Sequence, residues 1–171
     1  MSDPIRLMHY DPQWRQEFEQ TRSSILMSCL GWVQAVEHIG STAVSGIAAQ
    51  PVVDVVAGVV DPSGFQEAQA AIEGLNFRTI ELPTWADDAL LLIKPRHGQA
   101  THTVFLTQID SPLWRRLLRV RDWLRAHREV ALRYEDAKVH RWKATCGDLT
   151  SYEQGKAIFF AHLEDQIGSS N

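Results

Sequence analysis

The stretch "PVVDVVAGVV", Pro51 to Val60, constrains the fold more than any other part of the 171-residue chain. It is β-branched and nearly continuous, the pattern of a strand buried on both faces of a sheet. It also carries one acid, Asp54. An unpaired carboxylate inside such a strand is costly to bury. Asp54 is therefore either paired within the fold or turned to a cleft where it holds something positive. Directly upstream, "EHIGSTAVSGIAAQ" sets a Gly-Ser turn before this strand.

The flanking segments define the class. "YDPQWRQEFEQTRSSILMSCLG" opens with a turn at Asp11-Pro12. It continues as a helix with Trp14, Phe18, Ile25 and Leu26 on one face, ending at Gly31. "WVQAVEHI" reads as a strand, and "TAVSGIAA" as a short small-residue helix. "DPSGFQEAQAAIEGLNF" reads as a helix with Phe65, Ala68, Ile72 and Leu75 on one side. "FRTIEL", "ALLLIKPR" and "THTVFLTQ" read as three more strands. From there the chain is helical. Ser111 is an N-cap and Pro112 a first helical position. "HREVALRYEDAKVHRWKATCG" gives a second helix, and a third begins near Thr150. The expected class is α+β, with one domain over residues 1–171. Residues 1–110 would form an α/β core with a mixed sheet flanked by helices, and 111–168 a helical part.

With 44% apolar and 22% charged residues, the composition fits a soluble globular domain. No apolar run is long enough for a bilayer, and the first residues lack a signal-peptide pattern. A cytoplasmic protein with no membrane partner is expected. Cys29 and Cys146 have no metal-ligand spacing and are expected as reduced thiols. The net charge of −4 is unevenly spread: Leu113 to Lys143 carries +6 and the remainder −10. Such a basic segment is either an anion site or a solvated face paired with the acidic half. The acidic remainder and the absence of a dedicated motif argue against a nucleic-acid partner.

A Gly40-Ser41 turn after a strand can offer backbone N–H groups and a hydroxyl to phosphate oxygens. Asp54, on the next strand, can hold a Mg²⁺ that bridges the same phosphates. The spacing is equally that of an ordinary strand and turn, with Asp54 paired to a buried arginine.

The wording of the segment adds to this. "HIGSTAVSGIAAQPVVDVV" closely resembles the signature of the GrpB-like family of the nucleotidyltransferase superfamily, and the likeness continues in "YDPQW", "RVRDWLRAHREVALRYEDAK" and "SYEQGKAIFF". The resemblance implies the nucleotidyltransferase fold. It further implies ATP or another NTP at Gly40, Ser41 and Thr42, with Mg²⁺ on Asp54. The chain departs from the pattern at four places. Val56 stands where the superfamily has a second acid, Gln50 where the family has Lys, and Ser45 where it has Pro. Val104 stands where a His-x-His pair would have its second histidine, leaving His102.

His102 reads either as a metal ligand and acid–base partner of Asp54 or as a core histidine. Arg121 and Arg125 are i,i+4 and share a helix face. With Lys138 they form a candidate set for a small anionic acceptor. Tyr134 and Lys138, like Tyr152 and Lys156, are i,i+4 pairs that either face a substrate or pack lysine stems over tyrosine rings. The implied function is nucleotide-dependent transfer, either nucleotidylation of an acceptor or activation of its carboxylate for amide formation. The alternative is a non-catalytic nucleotide or anion binder with a degenerate site.

Overall fold

The computed structural model describes residues 6–82, 88–145 and 164–168. The elements in chain order are α1 (Gln13–Ser28), β1 (Val33–Ile39), a 3-10 turn (Ser41–Ala43), β2 (Val53–Val59) and α2 (Phe65–Glu73). Then come β3 (Arg78–Ile80), β4 (Ala89–Lys94), β5 (His102–Gln108), α3 (Pro112–Ala126) and α4 (Arg128–Ala144). This is an α+β fold around one five-stranded sheet of order β1-β2-β5-β4-β3. Only the β2–β5 pairing is parallel; the other three are antiparallel.

β2 lies inside the sheet, as its β-branched run predicts. Val53, Val55, Ala57 and Val59 pack with Trp14, Phe18 and Ile25 of α1 and with Ile72 of α2. Val56 faces the other way, into a core with Ile39, Phe105, Leu113 and Trp114. Each fully buried valine stabilises the fold by about 1.5–3 kcal/mol relative to exposure. Gly58 shares the face of Val56. A Cβ there would lie 2.3 Å from Ile109 Cγ1 and 2.9 Å from the Trp114 ring, so glycine lets α3 seat closely. The two faces are thus covered by α1 with α2 and by α3. Cys29 is buried in the first core; burial pushes its thiol up to about 11, so it packs as a small apolar group.

Two differences from the sequence reading matter. The segment after Gly40 is one 3-10 turn, a bend at Val44 and a second turn at Ser45–Gly46, where a short helix was expected. Val44 leaves the turn at φ −108° and ψ 114°. It does so because Val44 and Ile47 are drawn into a third core with Val120, Leu124 and Tyr134 from α3 and α4. The third C-terminal helix lies largely outside the described residues, as do Tyr152, Lys156 and Cys146. Residues 164–168 are helical, and Ile167 is buried in the α3–α4 core.

Candidate functional site

β1 delivers the chain to Gly40, which sits at φ 73° and ψ −169°, a conformation open to glycine. A Cβ at Gly40 would fall 2.6 Å from Asp54 Oδ2. The carboxylate of Asp54 therefore lies directly against the turn. Thr103, its register partner on β5, donates from Oγ1 to Asp54 Oδ1 at 2.5 Å. This answers the question the strand raised. Asp54 is half-buried at the start of β2, on the α3 face, and a hydroxyl from the next strand orients it.

His102 does not join it. In the β2–β5 register His102 pairs with Val53, and Thr103 pairs with Asp54. Side chains alternate along a strand, so His102 leaves the sheet on the face opposite Asp54. Its Nδ1 bonds Thr101 Oγ1 at 2.8 Å, and burial, then Lys94, hold its pKa below the ordinary value. The expected Asp54–His102 metal pair is therefore corrected by register. Among the described residues, no three His, Cys, Asp or Glu side chains gather for a metal.

The turn itself is gripped by the helices. Ser41 Oγ and Tyr134 OH are 3.0 Å apart, and Thr42 Oγ1 and His38 Nε2 are 2.8 Å apart. Glu135 accepts from Ala48 N–H, and Lys138 Nζ donates to Ala48 O at 2.8 Å. Lys138 is only 2% exposed and lies over the Tyr134 ring, 4.4 Å from its centroid. The sequence reading gave Lys138 to the acceptor. The structure instead makes the Tyr134–Lys138 pair a clamp on the loop 41–48, because its helix face is the one turned to that loop.

Arg121 and Arg125 do share a cleft. It has a volume of about 610 Å³ and lies among α1, β1, the turn, α3 and the start of α4. Arg121 Nη1 donates to Glu37 Oε2 at 2.7 Å and to the His38 carbonyl at 3.2 Å, while its Nε reaches Asp122 Oδ1 at 2.9 Å. Burial pulls its pKa down, but the bonds to Asp122 and Glu37 outweigh this and raise it. Arg125 donates from Nε to Ala43 O at 2.9 Å. Burial, then Arg121, lower its pKa, with Arg15 adding to the shift. His38 is buried and stacks on Phe18 with ring centroids 4.7 Å apart. Burial first, then Arg125 and Arg121, press its pKa down to about 4, so it is neutral at pH 7.

Thr42 and Ala43 line this cleft, while Gly40 packs on Asp54. The turn Ser41–Ala43 thus connects two differently charged places. Four residues of the site escaped the sequence reading: Thr103, Glu37, Arg15 and Arg128. Arg15 and Arg128 come from the first turns of α1 and α4 and line the cleft, and Arg128 Nη1 donates to Ser45 O at 3.0 Å. Glu37 immediately precedes the "HIGST" segment, and in the β1–β2 register it stands across from Val56. It is thus a carboxylate beside the place where the second acid is missing. Val56 itself is fully buried in the α3-side core, where an acid would lack solvent.

The GrpB protein family model matches residues 4–166. The chain belongs to the GrpB family. Its relatives include a UPF0157 protein of Deinococcus radiodurans, 32% identical over 175 residues, covering 99% of this chain and 86% of that protein. A UPF0157 protein of Pseudomonas aeruginosa is 31% identical over 177 residues; the match takes in 94% of this chain and 66% of the relative's length. Among solved structures, conserved protein GrpB from Enterococcus faecalis superposes with a TM-score of 0.84 at 24% identity, covering 95% of this chain and 96% of that one. The GrpB fold is nucleotidyltransferase-like, and this chain shares it. No helix among the described residues is long and apolar enough to cross a membrane.

Proposed function

We propose that this GrpB-family protein is a nucleotide-dependent transferase. It takes an NTP at the Gly40–Ser41 turn and an anionic acceptor in the arginine cleft. The observation that carries the reading is the turn itself, with the Asp54 carboxylate packed against Gly40 and Thr42–Ala43 walling a cleft lined by arginines. Phosphates would approach the backbone of the Gly40–Ser41 turn with the Asp54 carboxylate beside them.

The donor set suits one hard divalent cation. Asp54 gives carboxylate oxygens, and Thr103 orients one of them. Asp54 would hold Mg²⁺, with phosphate and water as the remaining ligands, and the ion would neutralise phosphate charge. The set does not suit a two-metal centre, because Val56 is apolar and Glu37 is tied to Arg121.

In the transfer, an acceptor oxygen attacks the α-phosphorus and pyrophosphate leaves. A carboxylate acceptor gives an acyl-nucleotide ready for amide formation, and a hydroxyl acceptor gives a nucleotidylated product. Arg125 and Arg128 would bind and orient the acceptor's anionic group. Neutral His38 keeps an additional positive charge out of the cleft and fixes Thr42.

The test is calorimetric titration of ATP with Mg²⁺, followed by mass spectrometry for pyrophosphate and adducts. Mg²⁺-dependent binding that Asp54→Asn removes, in a folded variant, is expected. Unchanged affinity in that variant would sink the reading. A second reading, a nucleotide or anion binder without turnover, is favoured by the engaged Glu37 and the buried Val56. It predicts Mg²⁺-nucleotide binding with no pyrophosphate under any acceptor.

A further inference from the structure

We propose that the arginine cleft binds a phosphate monoester dianion carried on an apolar body. This deepens the reading of the cleft as the acceptor's place and names the acceptor's chemical class.

Three guanidinium groups enter from three helices: Arg15 from α1, Arg125 from α3 and Arg128 from the start of α4. Arg125 and Arg128 are each fixed by one N–H, to the carbonyls of Ala43 and Ser45, two residues apart on one loop. Each keeps further N–H groups beyond the one so used. The Arg15 side chain makes no hydrogen bond or ion pair among the described residues. The fourth arginine, Arg121, is already matched by Glu37 and Asp122. The other acid lining the cleft, Glu19, leans to Arg22 at 3.6 Å.

The lining thus carries four arginines against two glutamates, a net charge of +2, and neutral His38 adds none. Like charges gathered this way repel one another, and an anion offsets the repulsion. The number of the groups chooses the anion. One guanidinium fork satisfies a planar carboxylate. Three guanidinium groups from three helices suit a tetrahedral dianion with three outward oxygens. The rest of the wall includes Phe18, Val44 and Leu124, so the group carrying the phosphate has an apolar part.

The experiment titrates the full-length protein with phenyl phosphate, benzoate and phthalate at pH 7.5. Phenyl phosphate is expected to bind about tenfold or more tighter than either carboxylate. Its affinity falls as pH drops from 7.5 to 5, because a phosphate monoester loses its second charge near pH 6. Arg15→Gln breaks no internal bond and is expected to weaken binding about fivefold, with its urea midpoint unchanged. Arg125→Met weakens it further, while Arg133→Gln, on the exposed side of α4, leaves it as it was. Benzoate or phthalate binding as tightly as phenyl phosphate would overturn the proposal. So would an Arg15→Gln and Arg125→Met pair without effect, or displacement of phenyl phosphate by ATP. Titrating ATP–Mg²⁺ into the same parent protein separates the two readings. Phenyl phosphate binding without any ATP–Mg²⁺ binding defeats the proposed function and leaves this inference standing. ATP–Mg²⁺ binding with phenyl phosphate silent defeats only this inference.

Discussion

The two sides of the turn Ser41–Ala43 are built by opposite means. On the Gly40 side, one carboxylate is set into an apolar strand, and its placement follows from a single residue, Asp54, and its register partner Thr103. On the other side, arginines from α1, α3 and α4 line one cleft, and Arg125 and Arg128 are pinned to the backbone carbonyls of Ala43 and Ser45. The first is a half-buried position held by its strand and by Thr103. The second is an assembly whose geometry depends on how α3 and α4 hold residues 41–48. The contrast teaches that one short turn can serve a cation-holding acid and an anion-holding cleft at once, provided each keeps its own scaffold.

The sharpest way to break the arrangement is at the turn. Gly40→Val would push a side chain onto Asp54 Oδ2 at a φ of 73°. Backbone strain of this kind costs about 1–3 kcal/mol before any clash is counted. The expected result is a lower urea midpoint together with loss of triphosphate binding greater than loss of nucleoside binding.

The cleft side has a pH signature of its own. His38 has a folded pKa of about 4 against an ordinary 6.5. Above pH 6.5 it is neutral folded and unfolded, and contributes no pH dependence. Between 6.5 and 4 the unfolded chain takes up the proton and the folded chain does not. Stability therefore falls as pH falls through that window, by up to about 3 kcal/mol at 1.36 kcal/mol per unit. Urea unfolding at pH 7 and pH 4.5 checks this, and His38→Gln is expected to flatten the slope between them.

Arg121→Lys keeps the charge but loses the planar fork that reaches Glu37, Asp122 and the His38 carbonyl. A loss of about 1–3 kcal/mol in stability or anion affinity is expected. The Gly40 side should be unaffected, so Mg²⁺-nucleotide affinity stays within about twofold, a change worth only a few tenths of a kcal/mol. The smallest effect is expected from Lys138→Met, which gives up the hydrogen bond to Ala48 and keeps the stem over Tyr134. A stability change of about 1 kcal/mol, seen as a modest shift in the melting midpoint, is the expected outcome.

What the chain made legible follows the same division. Asp54 and Gly40 could be read because each is an anomaly in a local pattern, an acid in a valine run and a glycine at a strand end. β2's place inside the sheet, the five strands and the helices α1 to α4 could be read from periodicity. Strand register could not, and register is what separates His102 from Asp54, puts Thr103 beside it and sets Glu37 across from Val56. The loop after Gly40 was misread as helical because its small residues suit a helix, while Val44 and Ile47 are claimed by the α3–α4 core. Lys138 was misassigned because helical spacing shows which residues share a face and not what that face meets. Arg15 and Arg128 carry no local anomaly, since exposed arginines on helices are ordinary; only their convergence marks them.

A crossed titration tests the central claim that the turn joins two separate sites. ATP–Mg²⁺ and phenyl phosphate are each titrated into the parent protein, Asp54→Asn and Arg125→Met, all checked for an unchanged fold by circular dichroism. The account predicts that Asp54→Asn loses the nucleotide and keeps phenyl phosphate, while Arg125→Met does the reverse. Loss of both ligands in either folded variant, or of neither in both, would contradict it.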